Sequence, residues 1–229
     1  MIIYGRNPVH EAIRGPRTVL QIWVTRGAAS EPWLAEAGAP ISEVGGDEIA
    51  RRAESEGHQG ICAEVSPFHY ADADQLLALP SPMLVALDQV QDPQNLGAIC
   101  RSAECAGAAG LIFPERRAAE VTPAVCKASA GAVEHLPIAQ VRNLADFLSE
   151  AKKRDFWCYG ADGAGDLDYL KVDFSGPVVL VMGSEGSGLR PRVAAACDGL
   201  VSLPLRGQIG SLSVGAAAAV LLYAAAAAR

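Results

Sequence analysis

The chain has 229 residues, 50% of them apolar and 20% charged, and carries a formal net charge of −7. That length suits one large domain or two small ones, with ample apolar content for a buried core. The acidic balance excludes a generally basic, nucleic-acid-coating surface, so any nucleic-acid site has to be a local basic patch on an acidic body. From the N-terminus, short β-rich runs at 2–4, 19–24, 41–44 and 61–65 predict strands. Between them Asn7-Pro8 reads as an N-cap followed by proline at the first helical position. Two further short helices are predicted to open at Glu31-Pro32 and at Asp47-Glu48. Alternating β and α indicates a small α/β domain over residues 1–66.

Residues 67–82 contain Pro67, Pro80 and Pro82 and read as a linker. From residue 83 the alternation resumes with longer units. Apolar runs at 83–87, 111–113, 156–159, 178–182 and 200–203 predict strands, and their continuous hydrophobicity predicts a parallel sheet covered on both faces. Helices are predicted at 95–107, 122–130, 144–153, 190–196 and 213–228. The alanine-rich C-terminal stretch is a helix former more than a membrane anchor, and no other run approaches the roughly 20 apolar residues of a membrane span. No basic flank leads into an apolar core at the N-terminus, so no signal peptide is expected. The six cysteines form no Cys-x-x-Cys pair, and the four histidines show no metal spacing. No metal site is expected, and the thiols read as reduced and mostly buried in a cytoplasmic protein.

Three glycine-rich stretches in the second half carry the chemistry. In the first, 87–103, a strand turns into a helix. Asn95 can cap that helix or hold a ligand, and Arg101 follows six residues later. Taken alone, Arg101 reads as a solvated helix arginine. In a helix rich in Ala, Ile and Cys it reads instead as inward-facing and partnered. The second, 180–189, holds Gly183-Ser184-Glu185-Gly186-Ser187-Gly188 behind a buried strand, where bare backbone can approach a ligand. It is not a P-loop, since no Gly-Lys-[Ser/Thr] ends it, and the Gly-x-Gly-x-x-Gly fingerprint is absent. The third, 203–214, carries Gly207 and Gly210, then Ser211 and Ser213 ahead of the alanine-rich helix. Each serine there can cap the helix, or Ser211 can face a bound phosphate.

As a set these stretches resemble the three motifs of the SpoU family, within the SPOUT class of RNA ribose 2′-O-methyltransferases. Lys127-Ala128-Ser129-Ala130-Gly131-Ala132 resembles another family stretch, and Tyr4-Gly5-Arg6-Asn7-Pro8-Val9-His10-Glu11-Ala12 resembles the start of the RNA-binding extension of the ribosomal-RNA branch. His58-Gln59-Gly60 is similar to an element that closes that extension. The resemblance implies a kink-turn-ribosomal-protein-like N-terminal domain. It also implies a methyltransferase domain over 83–229 folded as a parallel sheet with a trefoil knot. It further implies S-adenosyl-L-methionine as cofactor, RNA as partner, ribosomal RNA foremost, and a homodimer with no membrane attachment. The implied catalytic residues are Asn95, Arg101, Glu185 and Ser211. Gly183, Leu203, Leu205 and Leu212 are the implied cofactor contacts. The implied activity is methylation of a guanosine ribose in large-subunit ribosomal RNA. Alternatives are a transfer-RNA 2′-O-methyltransferase or a catalytically weak RNA-binding ribosome-assembly factor. Two positions depart from the family pattern: Ser213 replaces an asparagine and Gly215 a serine. A fragment from about Pro82 onward is expected to fold, dimerise and bind cofactor while losing affinity for RNA.

Overall fold

The computed structural model describes residues 1–229, which divide into two compact units. One comprises residues 1–69 with 120–135; the other comprises 70–119 with 136–229. The first begins with β1 (Ile2–Tyr4), α1 (Arg6–Arg14), β2 (Val19–Val24), β3 (Ile41–Glu43), α2 (Gly46–Ala53) and β4 (Ile61–Val65). Its sheet has the order β1-β4-β2-β3, antiparallel except for the parallel β2–β3 pair. Alternation along β4 sends Ile61, Ala63 and Val65 to one face, while Cys62 packs with Ile49 and Ala53 of α2 on the other. Helix α1 starts before the predicted Asn7 cap: its N-cap is Gly5 at φ 97°, a left-handed conformation that glycine adopts freely. The turn at Pro32–Glu36 is 3-10 rather than α.

The remaining elements are α3 (Ala73–Leu77), β5 (Met83–Leu87), α4 (Pro93–Cys105), β6 (Gly110–Pro114), α5 (Pro123–Ala128), β7 (Ile138–Val141), α6 (Leu144–Lys152), β8 (Trp157–Ala161), β9 (Leu167–Asp168), β10 (Val178–Met182), α7 (Pro191–Ala194), β11 (Gly199–Ser202) and α8 (Val214–Ala227). The Pro-bearing stretch read as a linker thus carries α3, whose Leu76 and Leu77 are buried. Strands β7 and β9 add to the five predicted for this half.

Helix α5 and the 3-10 turn Ala132–Glu134 belong to the first unit. They fit it closely. A Cβ on Gly131 would lie 2.6 Å from the Glu11 Cβ, and one on Gly5 would lie 2.5 Å from Lys127 Nζ. Lys127 Nζ donates to Gln59 Oε1 at 2.8 Å, which gives the His58-Gln59-Gly60 element a partner. Arg17, 6% exposed, donates through Nε to Glu134 Oε2 at 2.8 Å, and its Nη2 pairs with Oε1 of the fully buried Glu134 side chain. Burial works against the Arg17 charge, yet its pKa is raised, because the Glu134 carboxylate outweighs the lost water.

The second unit is built on seven parallel strands in the order β7-β6-β5-β10-β8-β11-β9. Strands β5, β6 and β10 are buried along their whole length, as continuous apolar runs in a doubly covered sheet should be. Ala86, Val179 and Val181 pack with Leu77 of α3, Leu144 and Leu148 of α6 and Val193 of α7. Helices α4 and α8 pack on each other, and α8 also contacts β10. Chain order reverses between β5 and β10. In open α/β sheets, ligands bind at such a switch point, beyond the carboxyl ends of the strands.

Candidate active site

The switch point sets the first two glycine-rich stretches side by side. Leu87 and Met182 end their strands in register, and Asp88 N donates to Met182 O at 2.7 Å. Beyond β5 the chain enters α4 through Asp92, whose carboxylate accepts from Gln94 N at 3.2 Å and Asn95 N at 3.1 Å. Asp92 is therefore the cap, with Pro93 at the first helical position, and Asn95 sits inside the first turn. That correction leaves the Asn95 side chain available. Its Nδ2 donates to Glu185 Oε2 at 3.1 Å, joining residues 90 apart in sequence.

Glu185 stands at the tip of a tight loop. Ser184 and Gly188 exchange backbone hydrogen bonds of 3.0 Å in both directions, and Gly186 and Gly188 take φ values of 84° and 66°. A Cβ on Gly183 would lie 2.3 Å from the Gly188 carbonyl carbon, so the loop closes only over a bare backbone. Its far end is fastened by Asp88. This carboxylate is fully buried and accepts from Arg190 N at 2.8 Å and from Arg190 Nε and Nη2 at 2.7 Å each. Asp88 and Arg190 position the loop and were not among the sequence-derived site residues. A carboxylate directly behind the apolar run of β5 was the signal.

The third stretch follows β11. No main-chain hydrogen bond holds residues 204–212, and Leu205 and Leu212 are exposed, with Leu203 half-buried. Ser211 is exposed and makes no hydrogen bond within the chain. Ser213, in place of the family asparagine, caps α8 by accepting from Ala216 N at 3.3 Å, a task asparagine also performs. Gly215 lies against α4: a Cβ there would meet the Ala98 Cβ at 3.3 Å and Asn95 Oδ1 at 3.8 Å. Asn95, Glu185 and the start of α8 thus come together. Arg101 does not join them. Six residues on, it is rotated by about 240° from Asn95 around the helix. It is exposed and makes no hydrogen bond or ion pair, so the inward, partnered placement expected of it is corrected. The buried residues of α4 are Leu96, Gly97, Ile99, Cys100 and Ala103, and Arg101 lies off the face they centre on.

None of the cysteines is in a disulfide. Burial pushes Cys62 and Cys126 up to about 11 and Cys158 and Cys197 up to about 12, so none of these four offers a thiolate at neutral pH. No group of His, Cys, Asp and Glu is placed to hold a metal ion, and no helix is long and apolar enough to cross a membrane.

Residues 82–223, more than half of the chain, match the SpoU rRNA methylase family. The chain belongs to the SpoU family. Residues 2–71 match the substrate-binding domain of RNA 2′-O ribose methyltransferases. YacO of Bacillus subtilis, assigned to the TrmH family of tRNA/rRNA methyltransferases, is 36% identical over 232 residues, 96% of this chain and 93% of its own. Among solved structures, the SpoU methyltransferase AviRb of Streptomyces viridochromogenes, in complex with S-adenosylmethionine, superposes with a TM-score of 0.84. It is 26% identical and covers 99% of this chain and 89% of its own. An rRNA methyltransferase of Sinorhizobium meliloti with S-adenosylmethionine bound gives 0.82, at 27% identity over 98% of this chain and 85% of its own. This SpoU protein is an RNA methyltransferase with a small N-terminal domain and a parallel-sheet C-terminal domain.

Proposed function

We propose that this SpoU protein methylates a ribose 2′-hydroxyl in ribosomal RNA, with a guanosine of the large subunit as target, and that it acts as a homodimer. The observation that carries the reading is the Asn95–Glu185 contact at the switch point of the SpoU domain. The 2′-O ribose assignment draws on the substrate-binding match over residues 2–71, and the ribosomal target on the rRNA methyltransferase of S. meliloti. S-adenosylmethionine is the cofactor, as in both solved relatives, and when bound it supplies an activated methyl group. The residues present suit it. The unbonded main chain of 204–212 offers donors and acceptors, the exposed Leu205 and Leu212 offer apolar contacts beside Leu203, and the Gly183 loop presents bare backbone. The trefoil knot implied by the family belongs to the same proposal.

Within this reading the chain orients the ribose and handles its proton. Donation to Glu185 fixes the Asn95 amide and leaves Asn95 Oδ1 to accept from the attacking hydroxyl. A guanidinium stays protonated, so Arg101 acts by its charge and not as a base; since it does not reach Asn95 and Glu185 within one chain, it stabilises the developing alkoxide from the second protomer. The carboxylate of Glu185 is the group in this cluster able to take the proton. Ser211 faces the substrate phosphate near the start of α8. A second copy of the chain supplies what Arg101 lacks within one chain. Helix α8 carries no charged residue between Val214 and Ala227 and exposes Ala216, Val220, Tyr223 and Ala227 as one stripe. A helix apolar on all sides is a buried helix, and a second protomer would bury this one.

Transfer of tritium from labelled S-adenosylmethionine to purified RNA tests the substrate. Label is expected in large-subunit ribosomal RNA and absent from bulk transfer RNA. The reverse distribution would overturn the ribosomal assignment.

A further inference from the structure

We infer that a cavity lined by arginines at the carboxyl ends of β6 and β7 binds the phosphodiester backbone of the RNA next to the methylated nucleotide. This rests on the ribose-methylation reading and locates RNA contacts that the reading leaves open. The cavity has a volume of about 300 Å³ and is lined by Arg116, Arg117, Arg142, Arg190 and Arg192, with no carboxylate among its walls. Five of the 19 lysines and arginines of an acidic chain therefore converge on one hollow.

Two of the five are already engaged. Arg190 is held by Asp88, and Arg192 Nη2 pairs with Asp146 at 2.7 Å. The other three, Arg116, Arg117 and Arg142, are exposed, and their guanidinium groups make no hydrogen bond or ion pair; Glu115, adjacent in sequence, pairs with none of them. Three unpaired cations gathered without a counter-charge repel one another, and an anion between them relieves that repulsion. The planar fork of arginine matches phosphate oxygens two at a time.

The fold holds these arginines in place. Pro114 and Val141 are paired at the ends of adjacent parallel strands, and Glu115 N donates to Val141 O at 2.9 Å, so Arg116 and Arg142 leave neighbouring strand ends. Arg117 adopts φ 60°, a left-handed conformation that non-glycine residues keep only where their surroundings enforce it. Here Gln91 Nε2 donates to Arg117 O at 3.4 Å and Ala119 N to Val90 O at 3.0 Å. Val90 and Gln91 belong to the connection that delivers Asn95, and Arg190 closes the loop that delivers Glu185. The cavity therefore has Arg190 in its wall and is braced from behind by the connection that delivers Asn95, so an RNA phosphate held there would belong to the strand that offers its ribose to Asn95.

The test is the triple variant Arg116→Ala/Arg117→Ala/Arg142→Ala, titrated with a large-subunit RNA fragment across a range of salt concentrations. Its RNA affinity should fall, and the slope of log affinity against log salt should become shallower by about 2, from three phosphate contacts at roughly 0.7 each on a single strand. Calorimetric affinity for S-adenosylmethionine and the melting temperature should stay at wild-type values. Lys171→Ala, which removes an exposed charge elsewhere in the same unit, should change the slope far less than Arg142→Ala does. A triple variant with wild-type slope, or equal losses from Lys171→Ala and Arg142→Ala, would overturn the cavity as a backbone site. The two readings separate. If the wild type methylates ribosomal RNA while the triple variant keeps its slope, the cavity falls and the function stands. If the slope drops but the wild type transfers no methyl group to ribose, the cavity stands and the function falls.

Discussion

Replacing Arg101 by alanine is expected to slow single-turnover methyl transfer by about 10²-fold or more, the loss typical of a positioned acid–base or electrostatic group. The fold and the affinity for S-adenosylmethionine should stay near wild type. Arg101 is exposed and unpartnered within the chain, and surface changes of that kind stay within about 0.5 kcal/mol. Alanine is also the better helix former inside α4. A side chain that holds nothing together within one chain and yet controls the rate has to act on the substrate or across a subunit boundary. Rapid-quench assays with saturating RNA measure the effect, and near-normal turnover would remove Arg101 from the mechanism.

The second large effect concerns stability. Arg17→Ala should destabilise the first unit by about 3–5 kcal/mol, because it strands a fully buried Glu134 carboxylate. That is a large share of the roughly 5–15 kcal/mol that holds a folded domain together. The double variant Arg17→Met/Glu134→Leu, which removes both charges at similar volume, should recover most of the loss. Urea unfolding curves measure both. Equal stability of the wild type and Arg17→Ala would show that the pair contributes nothing. The same pair revises the expectation for a fragment beginning near Pro82. Such a fragment keeps Glu134 and the rest of 120–135 but loses Arg17 and the residues that cover them, so it should aggregate or unfold locally there.

Much of the fold was legible because local pattern and tertiary environment agree. Met83–Leu87 and Val178–Met182 read as buried strands and are buried strands, since five consecutive apolar residues suit a sheet covered on both faces. Strands β7 and β9 escaped for lack of signal: Ile138–Val141 contains Gln140, and Leu167–Asp168 is two residues long, both formed by pairing with stronger neighbours. The start of α4 was misplaced although Asp92-Pro93 is a strong cap-and-proline signal. Asn95, three residues on, is equally a cap-type residue, so the local signal offers two starts. The orientation of Arg101 was available in the spacing of Leu96, Ile99, Cys100 and Ala103, which defines the buried face without it. What no local pattern could supply was long-range pairing. Arg17 with Glu134, Asp88 with Arg190 and the convergence of Arg116, Arg117 and Arg142 depend on where the topology returns the chain. The arginine cavity also reconciles a net charge of −7 with an RNA substrate, since the positive field is local rather than global.

The most direct measurement is the identity of the methylated nucleoside. Ribosomal RNA labelled by the purified protein and S-adenosylmethionine is digested to nucleosides and resolved by chromatography and mass spectrometry. The added methyl group is expected to appear as 2′-O-methylguanosine, and Arg101→Ala is expected to abolish most of it. A methyl group found on a base, or no incorporation into RNA at all, would contradict the ribose-methylation reading.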